Sequence, residues 1–298
     1  MVRYEMIWNI RKKKFLGILI VAFVFATLGL ALPPVLSSVT GQAITSDPNF
    51  AVTFSAGGLG FFLFALATAM NSISSEFESG TIVPLLTKPV SRTMVFLGKL
   101  FAAFIMLLLV YTVLFSYAVI GGIAVYGPQS NLYLVPLTLL GNVLSTFIWV
   151  AILLAMGALS KNTLVAALVA LGVFLALFMA LPIVSLFAGP SPALSYVPGG
   201  GASGVMNVTD GTRSIATGTD GVGVNLVNAV LYPAGAVSFS KINLGAMQPG
   251  QTIVPFQEVL YTENMSLVAW RSVGVAFLYV FVFLFIAWYA LKRAQILE

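Results

Sequence analysis

The chain has 298 residues, a formal net charge of +5, 59% hydrophobic residues and only 8% charged ones, against roughly 25% charged in an ordinary soluble domain. With a mean hydropathy of +1.03, it is an integral membrane protein. Cys and His are absent, which excludes disulfides, thiolate metal centres, c-type haem attachment and His-based acid–base or zinc chemistry within the chain.

In chain order, residues 1–14 carry Arg3, Arg11, Lys12, Lys13 and Lys14 among Ile7, Trp8 and Ile10, a pattern that predicts an amphipathic elbow helix in the headgroup region. Phe15–Leu36 is 22 apolar residues long. That exceeds a signal-peptide core of roughly 7–15 residues and suffices to cross a hydrocarbon layer of about 30 Å, so it is the first span. The second span, Ala51–Ile73, opens with Ser55, Ala56, Gly57, Gly58 and Gly60, small residues that let helices approach closely in lipid.

A third span covers Leu100–Ile120, with breaks expected at Gly121-Gly122 and Gly127-Pro128. The fourth, Leu132–Leu159, meets the fifth, Leu164–Phe187, through a tight turn at Ser160–Thr163. Residues 189–268, Gly-rich around Pro198–Gly201, are too many for a structureless connection and predict short surface helices packed on the bundle. The last span, Ser272–Leu291, closes on Lys292-Arg293. The fold class is an all-α membrane protein with six transmembrane helices.

Six spans put both termini on one side. Residues 1–14, 74–99, 160–163 and 292–298 then hold 11 of the 14 Lys and Arg residues, leaving Arg213, Lys241 and Arg271 opposite. By the positive-inside rule the first set is cytoplasmic and residues 189–268 are external. Two glycosylation sequons, at Asn207 and Asn264, fall in that external segment.

No Asp, Glu, Lys or Arg lies in the middle of a span, which argues against proton relays, ion-coupled carriers and voltage sensors. The milder polar groups Asn71, Asn142, Ser145 and Thr146 read as interhelical hydrogen bonds. The sequence contains no Gly-x-x-x-x-Gly-Lys-Ser/Thr phosphate loop, so no ATP site and no cofactor are expected in this chain. An enzyme is disfavoured too, because there is no His to activate a serine and no intramembrane aspartyl pair.

One polar stretch stands out, Ser75–Lys99. Gly80 interrupts any helix through Glu76 and Glu78, Thr81 can cap a new one with Pro84 in its first turn, and Pro89 stops it. Ser91 is placed to cap the helix carrying Arg92 and Lys99. The short helix would present Ile82, Val83, Leu85 and Leu86. Two readings fit: a docking element for a partner, or a loop resting its apolar residues on the membrane surface.

The run Glu76-x-Glu78-x-Gly80-Thr81, then Leu85-Leu86, Lys88-Pro89-Val90-Ser91-Arg92 and Gly98-Lys99 resembles the cytoplasmic signature of ABC-2 type transporter permeases. Within that family it is similar to permeases related to nitrous-oxide-reductase accessory and drug or sodium exporters. The resemblance implies one transmembrane domain over residues 1–298 in the plasma membrane, acting as the non-catalytic membrane subunit of an ATP-binding-cassette exporter. Its implied partners are the lipid bilayer, a second permease copy (identical or related) and a separate ATPase that holds ATP and Mg; no nucleic acid is implied. Thr81, Ile82, Val83, Leu85, Leu86 and Lys88 would dock the ATPase, and Glu76, Glu78, Gly80, Pro89 and Arg92 would form a gate or hinge. Gly199–Gly223 departs from the compact outer loop of the family, so no cargo is carried over. The alternative is an ATPase-docked scaffold or assembly subunit that moves no solute.

Overall fold

The computed structural model describes residues 14–41, 47–70, 72–78, 91–208, 211–242 and 257–293. The expected elbow helix lies almost wholly outside them. The helices are α1 (Lys14–Thr40), α2 (Phe50–Thr53), α3 (Gly57–Ala69), α4 (Ser74–Glu78), α5 (Arg92–Tyr126), α6 (Val135–Ser160), α7 (Thr163–Ala188), α8 (Val222–Leu231) and α9 (Met265–Arg293). Among the described residues five stretches, in α1, α5, α6 with the turn before it, α7 and α9, are long and apolar enough to cross a membrane.

Local chemistry sets several boundaries. Ser91 Oγ accepts the Met94 N–H at 3.2 Å, capping α5 as its sequence foretells. Lys161 turns the chain in the left-handed region, and Asn162 Oδ1 then accepts the Val165 N–H at 2.9 Å to open α7. The expected break at Gly121-Gly122 does not occur, since α5 runs through both to Tyr126. These glycines act as notches: a Cβ at 121 would strike Leu30 of α1, and one at 122 would press on Phe50 and Gln129. The turn at Gly127 is as expected.

Helix α6 is the axis of the bundle. It is apolar all round, and 78% of its span is buried against 22% for α7 and for α9, the difference between a core helix and one facing lipid. Trp149, Ile148, Val150 and Ala151 are sealed inside it, among Phe61, Phe62, Phe64, Tyr111 and Phe115 from α3 and α5.

The second apolar run is not one helix. After α2, residues 54–56 leave helical conformation and α3 starts at Gly57, whose φ of 69° suits glycine. Such a break frees backbone groups that lipid cannot satisfy. Helix α6 satisfies them: Asn142 Oδ1 accepts the Ala56 N–H at 3.3 Å, Asn142 Nδ2 donates to Phe54 O at 3.5 Å, and Thr138 Oγ1 donates to Val52 O at 2.6 Å. The hydrogen-bonding role expected for Asn142 holds, though its partner is an interrupted backbone. The segment still runs from Asn49, bonded by Asn131 at 3.1 Å, to Glu78 beside Thr163, the two ends of α6.

Residues 189–264 hold more than surface helices. Strands β1 (Ser203–Val208), β2 (Gly211–Ala216), β3 (Ala236–Ile242) and β4 (Gln257–Asn264) form an antiparallel sheet in the order β2-β1-β3-β4. Its inward residues Met206, Ile215, Val237 and Phe239 close on Met265, Val268 and Ala269 at the start of α9. β4 runs directly into α9, and Arg271 grips Glu263 with two hydrogen bonds of 2.8 and 2.6 Å across that junction. Helix α8 lies on α6 at a glycine pair, where a Cβ on Gly141 would overlap Gly223 Cα.

Candidate functional site

Two places in the bundle concentrate polar groups, one at each end. At the sheet end, the start of α3, the middle of α6, the far half of α7, strand β2 and the start of α8 border a half-open cavity of about 1010 Å³, at the upper limit of ordinary ligand pockets. One wall is aromatic. Trp149 stands edge-on to Phe174 at 5.2 Å, and Phe174 stacks on Phe178 at 5.5 Å and on Phe62 at 4.4 Å.

Other lining groups are polar and incompletely bonded. Asp220, in the 3-10 turn leading into α8, lies against Gly58 at the start of α3. Its Oδ1 is sealed from solvent and has no hydrogen-bond partner among the described residues; the same holds for Trp149 Nε1, Asn225 Oδ1 and Asn228 Nδ2, all of which line the cavity. Burial pushes the Asp220 carboxyl up to about 7, because a desolvated carboxylate resists its charge. Buried polar atoms are normally paired, so four unpaired ones on a single cavity mark a place suited to a ligand.

The other end carries the edges of the Ser75–Lys99 stretch. Glu78, on α4, accepts the Thr163 N–H at 2.8 Å on Oε1 and the Thr163 hydroxyl at 2.8 Å on Oε2. It thereby occupies the open N-terminus of α7, where a carboxylate is favoured by the helix dipole. Arg92 Nη1 donates to the carbonyls of Leu291 at 3.3 Å and Lys292 at 2.8 Å, the last turn of α9, and Trp288 Nε1 donates to Thr93 Oγ1 at 3.2 Å. Thus one edge is fastened to α7 and the other to α9.

A family model for ABC-2 family transporter proteins matches residues 2–296. The chain belongs to that family. No curated protein matches it. This permease is therefore of the kind that forms the membrane component of an ABC transporter, and Glu78 and Arg92, at the described edges of the expected signature, lie where α7 begins and α9 ends.

Of the anticipated docking residues, Thr81, Ile82, Val83, Leu85, Leu86 and Lys88 lie outside the described residues, as do Gly80 and Pro89. Glu76 falls within α4; Glu78 and Arg92 make the bonds given above. The sequon residue Asn207 is exposed on β1. Asn264, also exposed, accepts the Ser266 N–H on Oδ1 at 2.8 Å. Sequence reasoning missed the cavity and Asp220, because a lone carboxylate in a loop carries no motif.

Proposed function

We propose that this permease is the membrane-spanning subunit of an ATP-binding-cassette exporter in the plasma membrane, driven by a separate ATPase that holds ATP and Mg. Residues 81–87 dock that ATPase from the cytoplasmic side. Both termini are cytoplasmic, and the interrupted α2–α3 segment completes six crossings. A second copy, identical or related, pairs with it.

One observation carries this reading: the docking stretch is bonded to the bundle at both edges, by Glu78 to Thr163 and by Arg92 to the end of α9. Between the edges lie only 13 residues, 79–91. A displacement imposed there reaches α3, α5, α7 and α9 together, which is what coupling to an ATPase cycle needs. The pairing of α3 with its interruption supports motion too, since an interrupted helix bends at its break rather than along its length.

The test is ATP-driven flux. Inside-out vesicles carrying permease and ATPase together are expected to accumulate a solute when ATP is added, while vesicles with the permease alone do not. ATP hydrolysis by the pair without movement of any solute would favour the scaffold role.

A further inference from the structure

We propose that the cavity at the sheet end binds a lipophilic organic cation, with Asp220 as counter-charge and the Trp149, Phe174 and Phe178 rings as its apolar seat. As a statement about cargo this rests on the exporter reading; as a statement about binding it stands without it.

The sign of the ligand follows from which charges remain free. Among the described residues, three charged ones line the cavity, Asp47, Asp220 and Arg213, so their net charge is negative when all are ionised. Asp47 Oδ1 already accepts the Asn49 N–H at 3.0 Å. The Arg213 guanidinium donates to Asn228 Oδ1 at 3.4 Å and lies 5.5 Å from the centre of the Tyr232 ring. Among the described residues Asp220 Oδ1 has no donor, and it has no water-facing surface. Among the described residues an anion would meet two carboxylates beside the one guanidinium, and the unpaired donors Trp149 Nε1 and Asn228 Nδ2 are neutral; a cation would meet a carboxylate oxygen with no partner.

The nature of the rest of the ligand follows from the wall facing it. Trp149 and Phe174 are almost fully buried, and Leu177, Leu181 and Phe178 extend the same apolar surface along α7. The faces of Phe174 are taken by Phe62 and Phe178, so this surface offers the organic groups of a ligand apolar burial, with the exposed Phe178 as its ring surface. Asn225 Oδ1, fully buried and unpartnered, adds a second acceptor on the polar side. A small hydrated metal ion would gain nothing from the aromatic wall, and a neutral apolar molecule would leave the carboxylate unmatched.

Gly58 is part of the site. A Cβ there would overlap Asp220 Oδ2, the far end of a side chain that can swing away. Gly58→Ala therefore displaces the carboxylate without altering the cavity's aromatic side, and alanine is better than glycine in a helix.

The experiment is equilibrium dialysis of radiolabelled tetraphenylphosphonium against the purified full-length permease in mild detergent at pH 8, with no ATPase present. Saturable binding at one site is expected, whereas radiolabelled tetraphenylborate, of the same shape and the opposite charge, should show none when dialysed separately. Asp220→Asn and Gly58→Ala should each weaken it by about tenfold or more, the scale of losing one buried charge partner. If Asp220→Asn does not fold, Gly58→Ala decides alone. No saturable binding above detergent partition, undiminished binding in the folded variants, or tighter saturable binding of tetraphenylborate that depends on Arg213 would each overturn the proposal. Any of these would leave ATP-driven flux of another solute untouched, so the exporter reading fails or survives separately.

Discussion

Gly58 and Asp220 meet with no room for a side chain between them: a Cβ on the glycine would overlap the carboxylate oxygen Oδ2. The contact joins the start of α3, just after the interruption in its apolar run, to the turn that opens α8. It places a carboxylate where burial opposes its charge.

That placement predicts a pH dependence. The Asp220 carboxyl holds its proton up to about pH 7 in the folded protein, against an ordinary value of 3.8. Between those values the native state binds more protons than the unfolded one, so this group's contribution to stability is present at low pH and is lost as pH rises toward 7. Asn cannot ionise. Asp220→Asn is expected to raise the melting temperature at pH 8, by the equivalent of about 1–3 kcal/mol, and to change it little at pH 4. Thermal unfolding in detergent at both pH values checks this; an equal shift at each would contradict it.

The interruption between α2 and α3 depends on Asn142. Replacing it by Leu removes the acceptor of the Ala56 N–H and the donor to Phe54 O, and each buried group left unmade costs about 1–3 kcal/mol. Asn142→Leu should therefore lower stability by roughly 2–5 kcal/mol, although the substitution makes α6 more apolar. A stability unchanged or increased in a denaturant titration would mean that the broken backbone finds other partners.

Glycines in the membrane helices should respond in opposite ways. Gly141 faces Gly223 backbone, which cannot move aside, whereas Gly172 on α7 has nothing within 4 Å of a built Cβ. Gly141→Ala is expected to destabilise by several kcal/mol, in the range of overpacked cores at about 1–3 kcal/mol or more. Gly172→Ala should be neutral or stabilising by up to about 1 kcal/mol from helix propensity. Comparable melting temperatures for the two variants would undo the assignment of the α6–α8 crossing.

Orientation is testable without background, because the chain has no cysteine. A cysteine at Ser91 should react with an impermeant reagent only from the cytoplasmic side, and one at Ser214, exposed on β2, only from outside. Reversed labelling would invert the permease and remove the docking stretch from the ATPase.

The sequence revealed features whose causes are local. Ser91 caps α5 through its own side chain and a backbone N–H three residues on, so its role is readable from neighbours; the tight turn expected at Ser160–Thr163 is equally local, with Asn162 as its cap. The interruption at residues 54–56 is not local, since its partners Thr138 and Asn142 come 86 residues later or more. Gly121-Gly122 misled because glycine in a membrane helix is as often a packing notch as a stop. The sheet left no Asp-Gly turn signal, since Gly211 pairs with Val208 inside the ladder and Asp210-Gly211 is therefore not the two-residue connection. The wider Gly-rich composition hid its strands. Asp220 was invisible because its importance lies in burial against Gly58, a contact between distant segments.

The proposed coupling is that residues 81–87 transmit the work of a separate ATPase to this bundle. It is tested most directly by the amount of ATPase that co-purifies with the permease when Leu85 or Leu86 is replaced by Asp. A buried unpaired charge in a docking groove costs several kcal/mol. The expected result is loss of the ATPase from a permease that still folds and inserts, while Glu78→Gln, lying at the bundle edge, keeps the complex intact and weakens the link between ATP turnover and transport. Normal ATPase stoichiometry in both Asp variants would contradict the claim and leave the stretch as a loop resting on the membrane surface.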